Sequence, residues 1–234
     1  MKLPISKRLL RCADLVPQGA RVADIGTDHG YLGIYLLQNG LSPHVLACDL
    51  RTGPLDNARK NAAEFCVGSE MELRLSDGLA EISPEELDCA VLAGMGGDLI
   101  LKILSQCDWR KKAGLTFVLQ PQSAGNVLRR WLSEDGFEIL REEPVQDGNF
   151  LYTVMQVRQG APAKLTPGTE YASPALLKSG SELVGPYLLR VENALRTTVD
   201  GLTHAEKPRP ERLSYFSQAL REIQEMRENY AEHS

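Results

Sequence analysis

The sequence predicts an α/β fold: a mostly parallel sheet with helices on both faces, an antiparallel pair at one edge, and a helical hairpin after it. Three observations carry this. Short apolar runs alternate with amphipathic stretches between residues 20 and 133, the rhythm of βαβ units. Two strand-like runs, 137–141 and 150–157, then flank the turn residues Asp147-Gly148-Asn149. Beyond residue 170 the apolar positions recur at helical spacing.

Residues 5–15 read as the first helix, with Ile5, Leu9, Leu10 and Leu15 on one face. Pro17-Gln18-Gly19 turns the chain into a buried strand over 20–26, and a helix over 31–38 stops at Asn39-Gly40. A strand at 44–50 leads to a helix over 54–65, where Pro54 suits the first turn. Strands at 71–75 and 88–93, a helix at 98–105, a strand at 116–119 and a helix at 124–133 complete the alternation. Strands joined by such crossovers pair in parallel and are covered on both faces. Residues 159–168, with Pro162 and Pro167, read as a linker, dividing the chain into a domain over 1–160 and a helical hairpin over 161–234. In the hairpin Val184, Leu188, Val191, Leu195 and Leu202 form one stripe. Leu213, Phe216, Leu220, Ile223 and Tyr230 form the other, beyond a turn at Lys207-Pro208-Arg209-Pro210. Their plainest role is mutual burial.

Composition narrows the function. A 234-residue chain with 43% hydrophobic and 24% charged residues suits one large domain and a smaller appendage. No apolar stretch is long enough to span a bilayer, and no signal-peptide core follows the basic Met1-Lys2-Leu3-Pro4. Five scattered cysteines (Cys12, Cys48, Cys66, Cys89, Cys107) and four dispersed histidines predict reduced, cytoplasmic thiols and no metal. A net charge of −5 opposes a polyanionic partner. The distribution softens this: Lys2, Lys7, Arg8 and Arg11 precede the first acid, Asp14, and Arg110-Lys111-Lys112 and Arg129-Arg130 form two more clusters. Solvated helix ends account for these as readily as phosphate contacts.

The most informative segment runs from Val22 through Asp24, Gly26, Asp28, His29 and Gly30 to Leu32. A strand entering glycines and then a helix brings a ligand against backbone N–H groups. Gly26, Gly30 and Gly33 lack the G-x-G-x-x-G spacing that cradles a pyrophosphate. Asp24 and Asp28 would repel a diphosphate and suit a phosphate-free cofactor carrying cationic sulfonium and ammonium groups, although glycine-bearing strand-to-helix turns are also common in α/β proteins. Asp49 ends the next strand, where a carboxylate grips ribose hydroxyls, and Asp77-Gly78 follows the third, within reach of an adenine amine. Singly each could be a cap or turn. Three acids closing successive strands at one sheet edge argue for a ligand.

The sheet resembles that of class I methyltransferases, and Ala93-Gly94-Met95-Gly96-Gly97 at the end of the fourth strand makes the likeness specific. With V-A-D-I-G-T-D-H-G-Y-L, Ser76-Asp77-Gly78-Leu79 and Leu119-Gln120-Pro121-Gln122, the chain resembles the bacterial tRNA (adenine-22-N1)-methyltransferase family, whose members share the C-terminal helical hairpin. The resemblance implies S-adenosylmethionine as cofactor, tRNA as partner and ring nitrogen 1 of adenine 22 as acceptor. It places Ala93 and Gly94 beside the cofactor, with Asp24, Gly26, His29, Gly30, Asp49, Asp77 and Gly78, and Gly96 and Gly97 at the acceptor pocket, where glycine admits close backbone approach. Lys7, Arg8 and Arg11 would meet tRNA. Two departures from methyltransferases at large stand out: Asp28 replaces the central glycine of G-x-G-x-G, and A-G-M-G-G replaces Asn-Pro-Pro-aromatic.

The chemistry asks little of side chains, since the adenine nitrogen has a free lone pair and alignment supplies most of the acceleration. Charge developing on the base would be eased by a carboxylate near its amino group. Asp28 is the candidate, with capping of the helix at His29 as its alternative role. Tyr31 and Met95 could flank an unstacked base. Other acceptors, a nicotinamide oxidoreductase and a non-catalytic RNA-binding module remain rival readings.

Overall fold

A computed structural model describes residues 2–207 and 209–233. The chain runs α1 (Lys7–Leu15), β1 (Val22–Ile25), α2 (Tyr31–Gln38), β2 (Val45–Asp49), α3 (Thr52–Glu64), β3 (Met71–Leu75), β4 (Cys89–Met95), α4 (Gly97–Ser105), β5 (Thr116–Pro121) and α5 (Gly125–Glu134). It continues through β6 (Phe137–Asp147), β7 (Phe150–Gln159), α6 (Pro174–Leu177), α7 (Val184–Thr203) and α8 (Pro210–His233). The seven strands form one sheet in the order β3-β2-β1-β4-β5-β7-β6. β1 to β5 pair in parallel, whereas β7 runs antiparallel to both β5 and β6.

From β1 the chain builds outward through β2 and β3, then crosses back to lay β4 on the other side of β1. That reversal opens a crevice at the carboxyl ends of β1 and β4, where ligands of open α/β sheets bind. The strands alternate between two cores. Ala23, Ile25, Ala90 and Leu92 face the layer of Ile100, Leu104, Leu128 and Leu132 from α4 and α5. Val22, Val91 and Val118 face Cys12, Leu15, Leu32 and Leu36 from α1 and α2.

The hairpin stripes meet over most of their length: Val184, Leu188, Leu195 and Ile223 are buried together, with Val191, Phe216, Leu220 and Tyr230 packed against them, while Leu202 and Leu213 near the turn stay half-buried outside this cluster. Within the expected turn at 207–210, Pro208 lies outside the described residues. Several elements differ from expectation, β4 and β5 each running two residues further, to Met95 and Pro121. α3 begins at Thr52 rather than residue 54. β6 extends to Asp147 rather than 141, and the short helix α6 follows the segment read as a linker. The Arg129-Arg130 cluster is a structural junction rather than a basic surface. Arg129 is buried and donates from Nε to both oxygens of buried Glu142 at 3.1 Å, from Nη2 to Thr153 Oγ1 at 3.0 Å and from Nη1 to the Glu170 carbonyl at 3.1 Å. Ser173 donates to the same carboxylate at 2.6 Å. Arg130 pairs with Glu170, donating from Nε at 2.8 Å.

Candidate functional site

Asp24 is the third residue of β1, 6% exposed, and among the described residues no cation pairs with it. Burial pushes its carboxyl up to about 6, against a smaller lowering by nearby Thr27, while Asp49 adds to the rise. The Thr27 hydroxyl oxygen is itself buried without a well-formed hydrogen bond. The amides of Gly26 and Thr27 both donate to the Cys48 carbonyl, at 2.8 and 2.9 Å, tying the loop to β2. Asp49 ends β2, mostly buried; its Oδ1 accepts the Arg51 amide at 2.8 Å, and among the described residues its other oxygen has no partner. Leu50 and Leu75, at the ends of β2 and β3, are apolar yet 63% and 52% exposed. A buried unpaired carboxylate, a second with one oxygen available, and an exposed apolar wall suit a cationic, ribose-bearing ligand with a flat base. Sequence reasoning found the acids and missed the two leucines, whose signal was an apolar residue just past or closing an acid-rich strand edge.

Asp77 is exposed two residues past β3; the amide of the preceding Ser76 donates to the Asp49 carbonyl at 2.9 Å, and Gly78 backs onto Ile103.

A cavity at the end of β1 is bounded by Asp24, Thr27, Asp28, Tyr31 and Ala93, and closed from above by Arg8 of α1. Asp28 is exposed, its Oδ2 3.4 Å from His29 Nε2. It does not cap the following helix: α2 starts at Tyr31, and its N-cap is Gly30, in the left-handed conformation with no side-chain cap. The capping alternative for Asp28 is therefore excluded. Tyr31 stacks on His29 with centroids 5.2 Å apart. Met95 reaches back over the loop, its Cε 3.0 Å from where a Cβ on Gly26 would lie.

The A-G-M-G-G segment has two parts. A register shift between Ala93 and Met95 bulges β4 at Gly94, whose φ is +78°. A side chain there would lie 2.8 Å from Arg8 Nη1. Buried Gln120 locks the bulge, its Oε1 accepting the Gly94 amide at 3.0 Å and Arg8 Nη1 at 3.1 Å. Gln120 was visible in the sequence only as part of a motif, without a role. Gly97 serves packing rather than the pocket expected of it: it is buried, donates to the Ser123 carbonyl at 2.8 Å, and a Cβ would meet the Ala124 carbonyl oxygen at 2.7 Å. Gly96 stays half-buried beside Ser123.

The basic residues separate as well. Arg8 points inward and also meets Asp147 at 3.4 Å, so it faces the site rather than an outer RNA surface. Arg11 pairs with Asp14 at 3.3 Å, whereas Lys7 is exposed. Arg110 and Lys111 both pair with Asp135, at 2.8 and 3.0 Å, and Lys112 with Glu85 at 3.7 Å, so each cation of that cluster already has a carboxylate partner. All five cysteines are free, and four are buried. Among the described residues there is no cluster of three or more metal-ligating side chains, and no helix long and apolar enough to cross a membrane.

Strand order, acid-lined edge and bulged fourth strand together define a class I methyltransferase, and a methyltransferase-domain family matches residues 5–155. The tRNA (adenine(22)-N(1))-methyltransferase of Bacillus subtilis is 31% identical over 159 residues, covering 68% of this chain and 67% of that protein. The crystal structure of the B. subtilis m1A22 tRNA methyltransferase TrmK superposes with a TM-score of 0.78 at 26% identity, covering 99% of both chains. A candidate tRNA (m1A22) methyltransferase of Streptococcus pneumoniae, solved in complex with S-adenosyl-L-methionine, gives 0.80 at 29% identity, covering 95% of this chain and 99% of that one. The chain belongs to this tRNA (adenine-22-N1)-methyltransferase family.

Proposed function

We propose that the protein methylates ring nitrogen 1 of adenine 22 in bacterial tRNA, using S-adenosylmethionine, in the cytoplasm. The observation that carries this is the pairing of an acid edge with a bulged glycine. Asp24 presents a carboxylate with no cation partner at the end of β1, Asp49 keeps one oxygen available at the end of β2 while Arg51 meets the other, and Gly94 opens the end of adjacent β4. When bound, the cofactor supplies a methyl group made electrophilic by its sulfonium. Asp24 answers its ammonium charge, Asp49 its ribose hydroxyls, and Leu50 and Leu75 its base. The acceptor nitrogen needs no general base, so the remaining residues position. Tyr31 and Met95 hold the adenine, the Gly94–Gly96 backbone permits its close approach, and Asp28, freed from capping, faces the charge that develops on it. Residues 161–234 dock the tRNA body, and the domain over 1–160 holds the reacting centre.

The test is transfer of labelled methyl to unmodified tRNA transcripts, followed by mapping of the modified nucleoside. The reading expects 1-methyladenosine at position 22 and no transfer when that adenine is replaced by guanine. Label at another position, or turnover only with a protein or small molecule, overturns it.

A further inference from the structure

Phe150, at the tip of the β6–β7 hairpin, is an aromatic side chain left 62% exposed. It stacks on Tyr152, with centroids 5.9 Å apart and planes 28° from parallel. Residues two apart share a strand face, and Tyr152 packs onto the core beneath α1, so the pair forms a platform with a fixed inner ring and an open outer one. Its position relates it to the reacting centre. Phe150 pairs directly with Asp147 across the hairpin. Asp147 holds Arg8 Nε at 3.4 Å, and Arg8 Nη1 lies 2.8 Å from the Cβ position of Gly94. One guanidinium thus spans from the acceptor pocket to the platform. A cation adjoins it: exposed Arg190 of α7 donates to the Leu151 carbonyl, and Lys7, also exposed, precedes Arg8 in the first turn of α1. Among the described residues neither Lys7 nor Arg190 has a carboxylate within 4.0 Å.

We propose that Phe150, backed by Tyr152, stacks an unpaired base of the tRNA next to the target adenine, with Lys7 and Arg190 meeting the adjoining phosphates. This rests on the tRNA reading above. An adenine taken out of a folded tRNA leaves neighbouring bases in need of replacement surface, and an exposed aromatic ring with a cation beside it provides that surface.

The experiment compares steady-state tRNA methylation by wild type, Phe150→Ala, Phe150→Leu and Phe150→Trp, with cofactor binding followed by calorimetry. The alanine variant is expected to raise KM for tRNA about tenfold with kcat near wild type, while tryptophan restores KM and leucine does not. Cofactor affinity should be the same in all four. An alanine KM within about twofold of wild type overturns the proposal, as does rescue by leucine, which indicates apolar burial without stacking. A change in light-scattering mass with unchanged tRNA KM also overturns it, marking the ring as a self-association patch. Wild type that methylates no tRNA removes the functional reading itself, and is recognised before any variant is made.

Discussion

Two buried acids of this protein sit in opposite company. Glu142, at the junction of sheet and hairpin, is enclosed by Arg129 and Ser173, so every strong acceptor position meets a donor. Asp24, at the end of β1, is also buried but faces no cation, and burial lifts its carboxyl to about 6. The first arrangement fixes structure: burial works against the Arg129 charge, but the facing carboxylate outweighs it and holds the guanidinium protonated above its ordinary value. The second leaves a charge uncompensated until a ligand arrives. A satisfied pair marks architecture, and an unsatisfied acid at a strand's carboxyl end marks a site.

The largest expected effect breaks the satisfied pair. Arg129→Met strands Glu142 in the interior and should cost about 3–5 kcal/mol in denaturant unfolding. Adding Glu142→Leu should recover most of that loss. If the single variant is as stable as wild type, the junction is not what holds the hairpin to the sheet.

Asp24→Asn should act in the opposite direction on stability. The folded state keeps the Asp24 proton up to about pH 6, whereas the unfolded chain releases it near the ordinary value of 3.8. Between these values the folded state binds more protons, so wild-type stability falls as pH rises through the window, by an amount on the order of 3 kcal/mol. The asparagine variant lacks this fall, and unfolding at pH 4 and pH 7 should show the divergence.

Removing the Asp49 carboxylate sharpens the site half. Asp49→Ala should lose about 1.5–3 kcal/mol of cofactor binding by calorimetry, beside about 1 kcal/mol of stability from the lost bond to the Arg51 amide. Unchanged affinity in the folded variant would take the ribose from Asp49.

The smallest effect separates the basic clusters. Lys7→Ala should lower the slope of log affinity for tRNA against log salt by about 1, and Arg110→Ala should leave it unchanged, because Asp135 already neutralises that side chain. Equal slopes for both would return Lys7 to ordinary surface.

The parts legible in the sequence were those governed by local pattern. β3 and α2 lie where apolar periodicity put them, and the acids at Asp24 and Asp49 stood out because they interrupt apolar strands. The second half of β6 was hidden, since Glu142, Glu143 and Pro144 look like loop until Arg129, distant in sequence, arrives to bury the first. By the same logic Arg129-Arg130 looked like surface charge, and the burial of a paired charge is set by tertiary contact alone. Gly97 belonged to a glycine-rich motif read as a pocket, and only the nearness of the Ala124 carbonyl reveals its packing role. Asp28 gained weight because Gly30 takes the capping position.

The central claim is that an unpaired, buried Asp24 waits for a cationic cofactor, and calorimetric binding of S-adenosylmethionine from pH 5 to pH 7 tests it most directly. Affinity should rise toward about pH 6 as the carboxyl ionises and then level, with Asp24→Asn weak and flat throughout. Wild-type binding that is independent of pH across this range, or an asparagine variant that binds as tightly as wild type, would contradict the account.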